Sequence, residues 1–151
     1  MVARNVPFNQ LSAFLRRVPK LMPLNVENAL RALAESEEGP KQAIFDIVAS
    51  TPSSIVPGKM DRVWTGNMQE SGEGRVKSVG ERIHFDFGWF DLSDDEYYIG
   101  VQEEGGYLRD GTEIWPMNAL EQIADMLVED RLLWDALQDA IRATWRDKVY
   151  G

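Results

Sequence analysis

The residues able to do chemistry fall mostly in one stretch. Asp91, Asp94, Asp95 and Glu96 gather enough carboxylate oxygens to attract a hard cation. A calcium loop also needs a sharp glycine turn inside it, and the stretch has none, so it reads as a solvated acidic turn. Glu103 and Glu104 pose as the two carboxylates of a glycosidase. On a strand, however, neighbours point to opposite faces and would not flank one bond. His84 is the only histidine, and it lies on the polar face of an expected strand with no triad partner signalled. The chain has no cysteine, no Gly-x-Ser-x-Gly elbow, no phosphate-cradling Gly-x-x-x-x-Gly-Lys loop and no His-Glu-x-x-His helix. The expectation is a protein that binds rather than catalyses, with no cofactor and no metal.

Large apolar rings are the other candidate machinery. Trp64, Trp89, Trp115, Trp134 and Trp145 are numerous for a chain of 151 residues. Their default use is core packing, and their second use is anchoring between subunits. Trp145 and Tyr150, near the C-terminus, are the better interface candidates.

Composition sets the frame for these residues. The length fits one domain with a real core. Net charge is −9, from 25 acidic and 16 basic residues, and such a surface repels phosphate. No apolar run is long enough for a membrane helix, and the N-terminus lacks the apolar stretch of a signal peptide. The absence of cysteine fits synthesis in the cytosol.

The elements that must position these residues follow from periodicity. Phe8, Leu11, Phe14, Leu15 and Val18 recur at helical spacing after Pro7, with Pro19 and Pro23 expected to end that helix. Asn25 then reads as the N-cap of a second helix along Val26, Ala29, Leu30 and Leu33. Gly39-Pro40 should kink or break it before Ile44, Ile47 and Val48. Residues 50–58 read as a loop. A strand around Arg75–Val79 and a clearer one over Ile83–Trp89 form an expected hairpin, with Ile83, Phe85, Phe87 and Trp89 on one face. The alternation of Tyr97, Ile99 and Val101 predicts another strand, followed by a loop over 107–114. Pro116 should open a helix whose stripe runs Leu120, Ile123, Leu127, Trp134, Leu137, Ile141 and Trp145, in one bent piece or in two with Asp130 as a cap. The fold class is thus α+β: a small antiparallel sheet of three to four strands packed against helices. The layout is a single domain, 1–151, with a helical part over 1–50, a core over 60–130 and a C-terminal helical extension over 130–151.

Three segments in this order carry a resemblance. Thr65-Gly66-Asn67-Met68-x-x-Ser71 is similar to the Thr-Gly-x-Leu/Met-x-x-Ser segment of the tail-completion and neck proteins of long-tailed phages. Phe87-Gly88-Trp89 with Tyr97-Tyr98 to Gly105 resembles that family's central hairpin, and Pro116-Met117-x-Ala119-Leu120 resembles its helix start. The match covers residues 60–130. It departs at Gly72, where the family places a β-branched apolar residue, and it leaves the N-terminal segment and the extension past Glu129 unexplained. The resemblance implies a non-catalytic virion protein, made in the host cytoplasm and placed at the head–tail junction. It would form a ring with copies of itself, six or alternatively twelve, between a head-side connector and a tail-tube or tail-terminator protein. DNA would pass the central hole unbound, repelled by acidic loops such as Asp91, Asp94, Asp95, Glu96, Glu103 and Glu104. The other class the residues allow is a cytosolic α+β binding or regulatory module with an acidic partner-binding surface.

Overall fold

The computed structural model describes residues 8–63, 65–80, 82–93 and 96–149, with 8–15, 17 and 147–149 described by backbone alone. Helix α1 (Phe8–Glu35) runs unbroken through Pro19 and Pro23, contrary to the expected stop. Each proline removes one helical N–H bond and strands a carbonyl a turn earlier. Both prolines lie on the exposed side, where water satisfies that carbonyl. Packing on the opposite side holds the helix together. Asn25 is therefore not a cap. Its Nδ2 donates to Thr144 Oγ1 at 2.7 Å, and Thr144 Oγ1 donates to the Ala140 carbonyl at 2.9 Å. Ala140 and Thr144, one turn apart and fully buried, let α6 (Leu132–Val149) lie close against α1.

The break at Gly39-Pro40 yields two helices. Ser36 Oγ donates to the Leu33 carbonyl, Gly39 N–H bonds back to Ser36, and Pro40 opens α2 (Pro40–Ser50) at a position that needs no donor. A Cβ on Gly39 would sit 1.9 Å from the Leu33 carbonyl oxygen, so only glycine allows this tight corner. The short helix α3 (Asn67–Glu70) follows Gly66, whose φ of 83° is left-handed.

Strands β1 (Glu73–Val79) and β2 (Arg82–Gly88) pair antiparallel in the register Val76↔Phe85 and Gly74↔Phe87. Phe85, Phe87 and the following Trp89 pack on a core of Ile44, Val48, Met68, Ile99, Met117, Ile123 and Leu127, while Ile83 stays outside it. Hairpin and α5 (Ala119–Glu129) thus meet through that core. A second ribbon, β3 (Gly106–Tyr107) with β4 (Glu113–Ile114), forms inside the expected loop. The architecture is α+β, but its strands form two separate two-stranded ribbons rather than one sheet of three or four.

The expected strand at Tyr97 is instead helix α4 (Tyr98–Glu104). Short apolar runs fit both periods. Ile99 is buried, Tyr98 packs against the core and Tyr97 is exposed, which is a helical arrangement. Pro116 likewise precedes α5 by three residues instead of opening it. Helices α5 and α6 are separate, with Asp130 ending the first and Arg131 at φ 60°. The single stripe splits there. Ile123 and Leu127 are buried, whereas Trp134, Ile141 and Trp145 are about half exposed.

The departure at Gly72 has a packing cause. A Cβ there would lie 2.4 Å from Ile44 Cγ2, so Ile44 fills the volume a larger residue would take. Gly72→Val should overpack this site and cost about 1–3 kcal/mol in urea unfolding. Adding Ile44→Ala should return part of that loss. A simple sum of the two single effects would show that the side chains do not share this space.

Candidate interaction surfaces

Three of the eight residues expected to act, Asp91, Glu96 and Glu103, fall into local roles once their neighbours are known. Asp91, at φ 53°, pairs with Arg75 Nη2 at 2.8 Å. Arg75 also bonds Glu73 and lies 4.3 Å over the Phe90 ring, so this corner is closed on itself. Glu96 accepts from Ser93 N at 2.9 Å, from Asn67 Nδ2 at 2.6 Å and from Ser93 Oγ at 3.1 Å. These bonds, the Ser93 amide foremost and then Asn67, hold its carboxyl below the usual range. Glu103 turns inward, and Glu104 faces solvent. Because both lie on a helix, the opposite-faces argument against a carboxylate pair does not apply; what separates them is that Glu103 is engaged at α5. Asp94, Asp95 and Tyr150 lie outside the described residues, as does Trp64. Trp145 sits half-exposed on α6.

Glu103 acts at the start of α5. Asn118 occupies the cap position in the left-handed region and makes no side-chain cap bond. The Glu103 carboxylate replaces it, accepting from Ala119 N at 2.9 Å and Leu120 N at 2.8 Å. A negative charge there also complements the helix dipole. The α4 carbonyls of Gln102 and Glu103 accept in turn from Met117 and Asn118 N–H, which stitches α4 to the start of α5.

Arg62 was not singled out by the sequence. It is only 8% exposed. Its Nε donates to the Pro52 carbonyl at 3.2 Å. Its Nη1 donates to Gln102 Oε1 at 2.9 Å, to the Gln102 carbonyl at 3.3 Å and to the Trp115 carbonyl at 2.6 Å. Arg62 N–H bonds the last-turn carbonyl of Val48 in α2. Burial pulls its guanidinium below its usual pKa, against the pull of the Glu103 carboxylate. Nothing in Met60-Asp61-Arg62-Val63 marks this arginine as internal, because its partners are mostly backbone carbonyls distant in sequence.

A shallow groove of about 480 Å³ runs between α1 and β1, with Arg31, Glu35, Arg75, Lys77 and Phe90 on its walls. Its cations are already paired: Arg31 with Glu27, Lys77 with Asp86, and Arg75 as above. Among the described residues no group of three His, Asp or Glu side chains is arranged to hold a metal. No described helix is long and apolar enough to cross a membrane.

The exposed apolar surface is more distinctive. Tyr107 (74% exposed) pairs with Glu113, and Trp115 (60%) lies two residues further on, so both rings share the ribbon face opposite buried Ile114. Trp115 N–H donates to Ser54 Oγ at 3.0 Å and the Trp115 carbonyl is held by Arg62, so the ring stands on a fixed backbone. On α6, Trp134 (51%), Ile141 and Trp145 fall at i, i+7 and i+11, one narrow stripe.

Two measurements test these roles. Arg62→Leu should leave buried carbonyls unpaired and cost about 3 kcal/mol or more, while Glu103→Ala should cost about 1 kcal/mol as a lost cap. Equal and small effects of both in chemical denaturation would remove Arg62 from its central place. Since the folded Glu96 carboxyl is depressed, its contribution is present above the unfolded carboxylate pKa and is lost as pH falls through the folded one. Protection of the Ser93 amide in hydrogen exchange should drop on acidification below the usual carboxylate range. Glu96→Gln should abolish that pH step.

Comparison with protein-family models, with curated proteins and with solved structures finds no match to this chain.

Proposed function

We propose that this chain is a ring-forming structural protein of the head–tail junction of a tailed phage. It joins a head-side connector to the tail and lets DNA pass, and it works by docking alone. The observation that carries the reading is surface. Aromatic rings stand exposed on two elements, Tyr107 and Trp115 on the ribbon and Trp134 on α6. Large exposed apolar patches mark places where another protein sits.

The resembling segments support the same reading through what they do here. Gly66 makes the left-handed turn and Met68 is buried, while Met117 and Ala119 enter the core ahead of α5. Of the acidic candidates, Glu104 is free to face a lumen, whereas Glu96 and Glu103 are tied to Ser93, Asn67 and the start of α5. An acidic lumen would raise the energy of DNA contact. The ring expected is a hexamer, with a dodecamer as the alternative on the head side.

Imaging and mass analysis of purified particles test the proposal. The chain should be present in a fixed copy number of six or twelve at the neck. Its absence from particles, with the purified chain small in solution, would instead support a cytosolic binding module.

A further inference from the structure

Charge is divided unevenly along the chain. The first 26 residues hold four basic residues, Arg4, Arg16, Arg17 and Lys20, and no acidic one. Residues 91–113 hold eight acidic residues and one basic one, Arg109. A net charge of −9 opposes random association of identical copies. The orientation that brings the basic end of one copy to the acidic segment of another is the one Coulomb energy favours.

Apolar side chains accompany both charged segments. Leu132 and Leu133 at the start of α6 pack against the same core as Leu33, and Thr144 reaches Asn25, so α1 and α6 run antiparallel. Beyond that bond α6 has five residues, to Val149, and α1 has seventeen, back to Phe8. The first three turns of α1 therefore extend about 18 Å past the end of α6. This projecting part carries Arg16 and Arg17, and the sequence spacing of Phe8, Leu11, Phe14 and Leu15 gives it one apolar stripe. The Trp134 and Ile141 stripe lies on α6, with Ile141 the nearer of the two to the projection. Tyr107 and Trp115 stand on the ribbon with Glu113 between them. Among the described elements α6 packs chiefly on α1 and α5, so one copy does not cover its own ribbon with its own α6.

We infer that the occupant of the ribbon face is a second copy of this chain. The α6 stripe of one copy, with Arg16 on the projecting part of α1, docks on Tyr107, Trp115 and the exposed carboxylates of Glu104 and Glu113 of the next. Two different faces meet, so the contact is head-to-tail, and repetition closes a ring when the rotation per copy divides the circle. The inference takes the ring reading as its premise and adds which faces meet. Trp115, with its backbone clamped by Arg62 and Ser54, is the anchor, and the charges steer and orient.

Two variants test it: Trp134→Asp with Ile141→Asp, which spoils the α6 face, and Tyr107→Asp with Trp115→Asp, which spoils the ribbon. All four positions are exposed, and circular dichroism checks that each variant is folded. If either unfolds, Gln replaces Asp at the same positions. In sedimentation at low salt the wild-type chain should self-associate, and added salt should weaken it. Each variant alone should lose about thirtyfold or more in self-association, as expected for interface anchors. An equal mixture should give a discrete heterodimer and nothing larger, since one good α6 face and one good ribbon face remain. Three results overturn the inference: a wild-type chain that stays monomeric at its highest soluble concentration, variants that assemble like wild type, or a mixture that stays monomeric. Variants that still build normal particles would reject these faces and leave the ring reading standing. A heterodimer from a chain absent from particles would do the reverse.

Discussion

Arg62 ties together Val48 at the end of α2, Pro52 in the loop after it, Gln102 in α4 and Trp115 beyond the ribbon. Its guanidinium holds the carbonyls of Pro52, Gln102 and Trp115, and its backbone closes the end of α2 on Val48. Buried carbonyls left unpaired cost more than a paired one gains, so these bonds act chiefly by avoiding a penalty. The loop between α2 and α3 has no strand ladder, and its path over the core rests on Arg62, on Ser54 Oγ accepting from Trp115 N–H and on the Lys59 bonds to Asp61 and the Val63 carbonyl. Through Gln102 the same node fixes the end of α4. Through the neighbouring Glu103 the node reaches the start of α5, and through the Trp115 carbonyl it fixes the backbone that carries an exposed ring.

That node explains why α4 is a helix. As a strand, Gln102 and Glu103 would face opposite sides, and only one could reach inward. As a helix, they sit about 100° apart, and both find partners, one at Arg62 and the other at Ala119 and Leu120. The alternation Tyr97, Ile99, Val101 was legible as a short apolar run, but the choice of period was decided by groups 40 residues upstream and 16 downstream. Prolines 19 and 23 teach the same lesson. Their local effect reads correctly from sequence, yet a 28-residue helix packed on α6 and β1 outweighs it because both rings sit on the wet side. What sequence does establish is set by strong local chemistry. The Gly39-Pro40 corner, the β1–β2 hairpin with Phe85 and Phe87 inward, and the split at Asp130-Arg131 need no distant partner to be read.

The acidic candidates show where the reading of sites runs out. Composition marks 91–104 as a charged stretch, and charge alone cannot separate a carboxylate that braces a loop from one that meets a partner. Glu103 differs from Glu104 by the Ala119 and Leu120 N–H groups facing it, which belong to another element, while Glu96 is held chiefly by the Ser93 amide of its own turn. The tryptophans behave alike: Trp89 donates to the Met68 carbonyl inside, while Trp115 and Trp134 stand outside, and nothing in their immediate neighbours distinguishes the three.

Net charge is the weakest summary of this surface. A value of −9 describes a chain that repels phosphate and its own copies equally. The distribution says otherwise, because the acidic excess concentrates around α4 and the ribbon while the N-terminal end of α1 is purely basic. In the head-to-tail contact proposed above, like charges oppose most orientations of two copies and opposite charges favour one. Orientation-selective attraction is what a head-to-tail contact needs, since apolar rings alone would also pair like faces and stop at dimers. In that proposed contact the rings supply contact area, the charge pattern selects the register, and Arg62 holds the backbone beneath Trp115.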